Sequence, residues 1–214
     1  MTRLQVALDL TSLEEAIRVA RLSAEAGVHI LEAGTPLIKS EGIRAVKKLK
    51  ELFPDKIVCA DMKTMDAGRL EAELAVNAGA DIVTVMALAA DETIEEVCDA
   101  AHSAGAKVMV DLMNASDILG RAEQIRRLGA DYLCLHVGVD VQKKRRITAE
   151  DLAKEVKSLV DSGFKVAVAG GINKETARIY SELNVEIVIV GKAIVASPDP
   201  AKATREILEA LLHR

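Results

Sequence analysis

Aromatic residues are almost missing from this chain, which has no Trp, two Tyr and two Phe in 214 residues. Nucleobases need such rings to stack on, and with 33 acidic side chains against 28 basic ones, a net charge of -5, there is no basic field to hold a phosphate backbone. Both absences argue against a nucleic-acid partner. Cysteine is scarce too: Cys59, Cys98 and Cys134 are odd in number, lie in apolar patterns and lack metal-site spacing. They read as reduced, buried small hydrophobes, not as a disulfide framework or a zinc site. The apolar run near the start, within Leu4-Gln5-Val6-Ala7-Leu8, is far too short for a signal peptide or a membrane span, so a cytoplasmic protein with no membrane partner is expected. After that run stands Asp9-Leu10-Thr11-Ser12, where a dinucleotide-binding fold would carry G-x-G-x-x-G.

What the chain does have is repetition. Half of its residues are apolar, enough for the core of one domain over residues 1–214. Short apolar runs occur at Leu4–Leu8, Val28–Leu31, Ile57–Ala60, Ile82–Met86, Val108–Val110, Tyr132–Leu135, Val166–Ala169 and Ile187–Val190. Gly27, Gly79, Gly105, Gly129 and Gly163 each close a helical pattern before the next run, as C-terminal caps do. Between the runs lie helix-period stretches such as Ser12–Ala26, with Leu13, Ala16, Ile17, Ala20 and Ala24 on one side, and Ala67–Ala78, with Leu70, Leu74 and Ala78. Buried strands alternating with helices mean a parallel sheet covered on both faces, and eight such units close most simply into an α/β fold, a single (β/α)8 TIM barrel. An open doubly wound sheet is the alternative.

Active sites of such barrels lie at the C-terminal ends of the strands. Asp9 ends the first run, Glu32 the second, Asp61 and Lys63 the third, Asp111 the fifth and His136 the sixth. Asp61 and Lys63 are two apart, so strand alternation turns them the same way, and Asp66 is placed to cap the helix that follows. Gly170-Gly171 and Gly191-Lys192 follow the last two runs, where barrels commonly hold a phosphate on exposed backbone N–H groups. Glu32 and Asp61, hard oxygen donors on neighbouring strands without Cys or a second His, suit Mg²⁺ better than Zn²⁺. His136 is the favoured acid/base, because His29, His102 and His213 fall before a strand, on a helix and in the tail. Lys143-Lys144-Arg145-Arg146, before helix signals at Thr148-Ala149-Glu150, reads either as a phosphate-steering lid or as a solvated charge run.

Asp61-Met62-Lys63-Thr64-Met65-Asp66 has the Asp-x-Lys-x-x-Asp pattern of the orotidine 5'-monophosphate decarboxylase superfamily. With Val6–Asp9, Glu32–Pro36, Lys63–Gly68 and Leu135–Gln142, essentially the whole chain resembles its 3-hexulose-6-phosphate synthase branch. The resemblance implies a dimeric, Mg²⁺-dependent lyase that joins formaldehyde to D-ribulose 5-phosphate and also runs the cleavage. It implies that Glu32 and Asp61 bind the metal, that Lys63 and Asp9 hold substrate oxygens, and that Gly170, Gly171, Gly191 and Lys192 form the phosphate end. It also implies that Asp66 reaches into the partner subunit's site in a homodimer. Relatives often carry Arg at the position of Lys192, which would contact phosphate in a bidentate way that Lys cannot. Orotidine decarboxylases have Lys in the region of Glu32 and use no metal. The 3-keto-L-gulonate 6-phosphate decarboxylases are the nearer alternative, but they carry Arg where Val139 stands. A phosphosugar-binding barrel without catalysis would not need Asp9, Glu32, Asp61, Lys63 and His136 together.

Overall fold

Eight parallel strands follow one another around a closed barrel in chain order, β1 pairing with both β2 and β8. They are Arg3–Leu8 (β1), Ile30–Ala33 (β2), Ile57–Thr64 (β3), Ile82–Met86 (β4), Lys107–Asp111 (β5), Tyr132–His136 (β6), Val166–Ala169 (β7) and Ile187–Val190 (β8). This is the computed structural model of the chain, and it describes residues 1–145, 147 and 149–212. The helices are Leu13–Glu25 (α1), Thr35–Glu41 (α2), Arg44–Leu52 (α3), Gly68–Asn77 (α4), Asp91–Ser103 (α5), Ile118–Arg127 (α6), Val139–Arg145 (α7), Ala153–Asp161 (α8), Lys174–Glu182 (α9), Lys192–Val195 (α10) and Pro200–Leu212 (α11). A 3-10 turn at Ala149–Leu152 precedes α8. The fold is a (β/α)8 TIM barrel, as the alternating pattern predicts. None of the described helices is long and apolar enough to cross a membrane.

Strand alternation builds two cores. Leu4, Val6 and Leu8 of β1, with their counterparts around the barrel, face outward and pack under the helices. Ala7, Ile30, Cys59, Ile82, Met109 and Cys134 face inward and plug the barrel. The three cysteines are free and buried, and burial pushes the Cys59 and Cys134 thiols up, so they act as packing groups. Gly27, Gly79, Gly105, Gly129 and Gly163 all sit at positive φ, between 78° and 99°, which reverses the chain from helix to strand without a side-chain clash.

Three expectations need correction. The second strand begins at Ile30, not Val28, so Glu32 lies inside it. Leu70 and Leu74 of α4 are not core residues: they are exposed, while Gly68, Ala72 and Ala75 are buried. A Cβ on Gly68 would lie 2.3 Å from the Thr93 carbonyl oxygen, so α4 meets α5 too closely for larger side chains on that face. Asp66 is not the helix cap either. Ala67 occupies that position at φ 52° with no side-chain bond, and Asp66 Oδ1 accepts only the N–H of Ala67, at 2.7 Å.

Candidate active site

The polar site is the layer above the inner plug. Since inward positions recur every two residues, Ala7, Ile30, Cys59, Ile82, Met109 and Cys134 are followed by Asp9, Glu32, Asp61, Thr84, Asp111 and His136. Asp111 and His136 end their strands and Asp9 follows β1, while Glu32, Asp61 and Thr84 stand one to three residues short of the ends of β2, β3 and β4. Glu32, Asp61, Thr84 and Asp111 are buried, His136 is partly covered and Asp9 keeps open surface at the rim.

Lys63 binds this layer together, though simple alternation does not bring it there. The register between β3 and β4 shifts between Ala60 and Thr64, and Lys63 takes φ 47°, a left-handed conformation that costs a non-glycine residue about 1–3 kcal/mol. The bulge is pinned on both sides: the Lys63 N–H donates to Thr84 Oγ1 at 3.0 Å, and Thr64 Oγ1 donates to Glu71 Oε2 at 2.6 Å. From there the ammonium donates to Asp61 Oδ1 and Oδ2 at 3.0 and 2.9 Å and to Asp111 Oδ2 at 3.0 Å. Burial alone would lower the Lys63 pKa, but Asp61, Asp111 and Glu32 outweigh it, and the net shift is upward. Lys63 is therefore a fixed cation.

Asp111 links that cation to the histidine. Its Oδ2 also meets His136 Nδ1 at 2.8 Å, and its Oδ1 accepts the N–H of Met113 at 2.9 Å. Burial would raise its pKa, but the bond to His136, the His136 charge, Lys63 and the Met113 N–H bring it down to about 2. An ionised Asp111 can only accept, so Nδ1 donates to it and Nε2 is the ring nitrogen left to exchange a proton.

The opposite side of the layer holds more negative charge than its cations offset. Among the described residues the hydrogen-bond partner of Glu32 is an amide, Gln5 Nε2 at 2.5 Å, and burial with Asp61 and Asp9 nearby raises its pKa well above its ordinary value. Asp9 is raised by the same two causes, burial first and then Asp61. Asp61 accepts from Thr35 Oγ1 at 2.7 Å and Thr84 Oγ1 at 2.9 Å as well as from Lys63. Gln5 Oε1 is buried with no partner among the described residues. Oxygen donors with surplus negative charge fit a hard divalent cation such as Mg²⁺. Among the described residues no three His, Cys, Asp or Glu side chains are grouped to hold a metal alone, so water or substrate oxygens would complete its shell.

The glycines carry packing constraints of their own. A Cβ on Gly170 would lie 2.4 Å from the Val137 carbonyl oxygen, and one on Gly171 2.8 Å from Gln142 Oε1, so the β6–α7 loop and α7 press on the turn after β7. Gly34, which sequence reading did not single out, lets Asp9 close in: a Cβ there would meet Asp9 Oδ1 at 2.2 Å. Gly191 likewise flanks Asp9, at 3.3 Å, and opens α10, where Lys192 is exposed.

The remaining candidates fall elsewhere. Asp66 is exposed outside this cluster, and Lys143, Lys144 and Arg145 lie on the exposed surface of α7. Arg146, Thr148 and His213 lie outside the described residues. His29 Nδ1 accepts the Leu4 N–H at 3.0 Å, and His102 meets Asp131 at the other end of the barrel, so both are structural. The sequence reading placed Asp111 at a strand end without a role and missed Gln5, Thr35 and Thr84. Their one sequence signal is a polar residue on the inward register of a buried strand, or one residue past its turn.

Against known proteins, residues 2–207 match the model of the orotidine 5'-phosphate decarboxylase / HUMPS family. A 3-hexulose-6-phosphate synthase of Mycobacterium gastri is 41% identical over 213 residues, covering 98% of this chain and 99% of that protein. The crystal structure of a 3-hexulose-6-phosphate synthase from Salmonella typhimurium matches with TM-score 0.92 and 40% identity over 99% of both chains. The 3-keto-L-gulonate-6-phosphate decarboxylase of Vibrio cholerae matches at TM-score 0.87 and 27% identity, over 98% of this chain and 97% of its own. The chain belongs to the orotidine 5'-phosphate decarboxylase / HUMPS family.

Proposed function

We propose that this chain is an aldehyde-lyase that condenses formaldehyde with D-ribulose 5-phosphate to D-arabino-hex-3-ulose 6-phosphate, and catalyses the reverse cleavage. The full-length similarity to 3-hexulose-6-phosphate synthases supplies the substrate class. The observation that carries the chemistry is the unbroken series Asp61–Lys63–Asp111–His136, with contacts of 2.8–3.0 Å, across the mouth of the barrel.

In this reading the substrate phosphate lies toward Gly170, Gly171, Gly191 and Lys192, and Asp9 orients a sugar hydroxyl. His136, with Nδ1 held by Asp111, removes a proton from carbon 1 at Nε2. The electrons of that C–H bond form an enediolate, and the Lys63 ammonium faces the charge that develops on its oxygen. Carbon 1 then bonds to the formaldehyde carbon, and the new alkoxide recovers the proton from His136. Glu32 and Asp61 would hold Mg²⁺, which when bound polarises the substrate carbonyl as a Lewis acid. Lys63 does not form a Schiff base, because a lysine held cationic by two carboxylates is no nucleophile.

The same proposal includes a homodimer. Met65, the chain neighbour of Asp66, and Leu70, Leu74 and Leu88 are 51%, 60%, 47% and 50% exposed, and a second copy would cover them and bring Asp66 to its site. A monomer in sedimentation at micromolar concentration would overturn this part. We place the protein in the cytoplasm, in keeping with its free cysteines; a fluorescent fusion found elsewhere would exclude it.

The deciding assay follows formaldehyde consumption with ribulose 5-phosphate, with Mg²⁺ and after chelation, for the wild type and for Lys63→Ala and His136→Ala. Metal-dependent consumption, lost in both variants, is expected. Release of carbon dioxide from 3-keto-L-gulonate 6-phosphate without formaldehyde consumption would make the chain a decarboxylase instead. That outcome is opposed by Val139, exposed at the start of α7. Inactivity toward both would leave a phosphosugar-binding barrel.

A further inference from the structure

Seven of the eight strands carry an ionisable group or a glycine at or near their C-terminal ends, and β4 supplies Thr84 in their place. We propose that Thr84 is a positioning residue that locks the Asp61 carboxylate and the backbone of Lys63 into one arrangement. This inference rests on the reaction proposed above. Thr84 is buried in the middle of a strand whose other members, Ile82, Val83, Val85 and Met86, are all apolar. It faces inward because Ile82, two residues earlier, does.

The direction of both hydrogen bonds is forced. The Lys63 backbone N–H can only donate, so at 3.0 Å Thr84 Oγ1 accepts from it. The single hydroxyl proton is left for Asp61 Oδ1, at 2.9 Å. The pairing of β3 with β4 is interrupted between Ala60 and Thr64, so the hydroxyl takes the place of a ladder carbonyl for Lys63. One oxygen thus holds a left-handed backbone at φ 47° and orients the carboxylate that receives the same residue's ammonium. Thr35 restrains the other oxygen, Asp61 Oδ2, at 2.7 Å, so the carboxylate cannot turn about its own axis. Without the Thr84 hydroxyl, Lys63 would keep its charge but lose its fixed place between Asp61 and Asp111.

The test compares Thr84→Val, which keeps the shape and removes the hydroxyl, with Thr84→Ser, which keeps the hydroxyl. Urea unfolding verifies that each variant is folded. In the Val variant kcat for formaldehyde addition is expected to fall about 10- to 100-fold, the usual range for loss of a group that orients a site residue, while KM for ribulose 5-phosphate changes less than about threefold. The Ser variant should recover to within about threefold of wild type. Hydrogen exchange of the Lys63 amide gives a readout independent of turnover: about 10-fold or more faster in the Val variant and protected in the Ser variant. Wild-type kcat in the Val variant, equal impairment in both variants, or unchanged Lys63 exchange would each overturn the proposal. Should the wild type not consume formaldehyde, the reaction reading fails and Lys63 exchange alone decides the role of Thr84.

Discussion

Two aspartate–histidine pairs stand at opposite ends of this barrel with the same 2.8 Å separation, Asp111 with His136 at the C-terminal mouth and Asp131 with His102 at the N-terminal end. In both, the carboxylate also accepts a backbone N–H at 2.9 Å, from Met113 in one and Val108 in the other. In both it is shared with a lysine, Lys63 at 3.0 Å or Lys107 at 2.9 Å. Their company differs. Asp111 and His136 are 5% and 18% exposed and look onto Lys63, Asp61 and Glu32, whereas His102 is 40% exposed on the last turn of α5 and Lys107 55% exposed at the start of β5. The lower pair staples the turn after Gly129 to the start of β5, as Asp81 does after Gly79 by accepting the Val58 N–H at 2.8 Å. An aspartate–histidine contact is thus a structural unit of general use, and its role follows from where the fold puts it and what charge faces it.

The comparison can be broken most sharply at the histidines. His136→Ala should lower formaldehyde turnover by roughly 100- to 10,000-fold, the range for loss of a general base, and His102→Ala should leave it within about twofold. Equal losses in the two would remove the distinction. At the aspartates the effects divide. Asp111→Asn, which takes the negative charge from beside Lys63 and the imidazole, should reduce kcat by about 100-fold, as a misplaced catalytic group does. Asp131→Ala should leave kcat unchanged and cost about 2 kcal/mol of stability in urea unfolding, because it orphans the Val108 N–H.

The smallest effect lies in acid, where the sign can be stated. Asp111 is held down to about 2 from its ordinary 3.8, so its stabilising effect is complete above pH 3.8 and is lost as pH falls through 2. Wild type should lose about 2 kcal/mol more than Asp111→Asn between pH 4 and pH 2 in urea midpoints. Glu32 has the opposite sign. Its folded-state pKa is raised above 4.5, so its contribution is complete below that pH and is lost as pH rises toward the folded-state value. In chelator, Glu32→Gln should therefore become more stable than wild type with rising pH, by on the order of 1 kcal/mol near pH 7. A constant difference across pH would mean that Glu32 has the neutralising partner that Asp111 has.

Much of this molecule was legible before its structure. The apolar runs located all eight strands, with a two-residue offset at the start of β2 and with β3 running four residues past Ala60 to Thr64, because a strand buried on both faces has few other ways to be written. Asp9, Glu32, Asp61 and His136 were found at the ends of those runs for the same reason. Three errors share a different cause. Leu70 and Leu74 carried a helical period, but α4 buries its small residues against α5 and leaves the leucines outside. Asp66 stood at a capping position, but α4 starts at Gly68 and Ala67 takes the cap. Thr84 was not singled out, since nothing in its neighbours shows that β3 lacks a ladder bond opposite it.

The amino-acid sequence by itself determined the closed alternation of strands and helices and the set of ionisable side chains at the mouth, because both follow from a period of two along each strand and from burial. Only the tertiary structure decided which carboxylate meets which cation. That choice depends on the bulge that swings Lys63 between Asp61 and Asp111, and on the inter-strand register that pairs Asp111 with Cys134 and so leaves His136, two residues further on, within reach of its carboxylate, and neither is a property of any single stretch of chain.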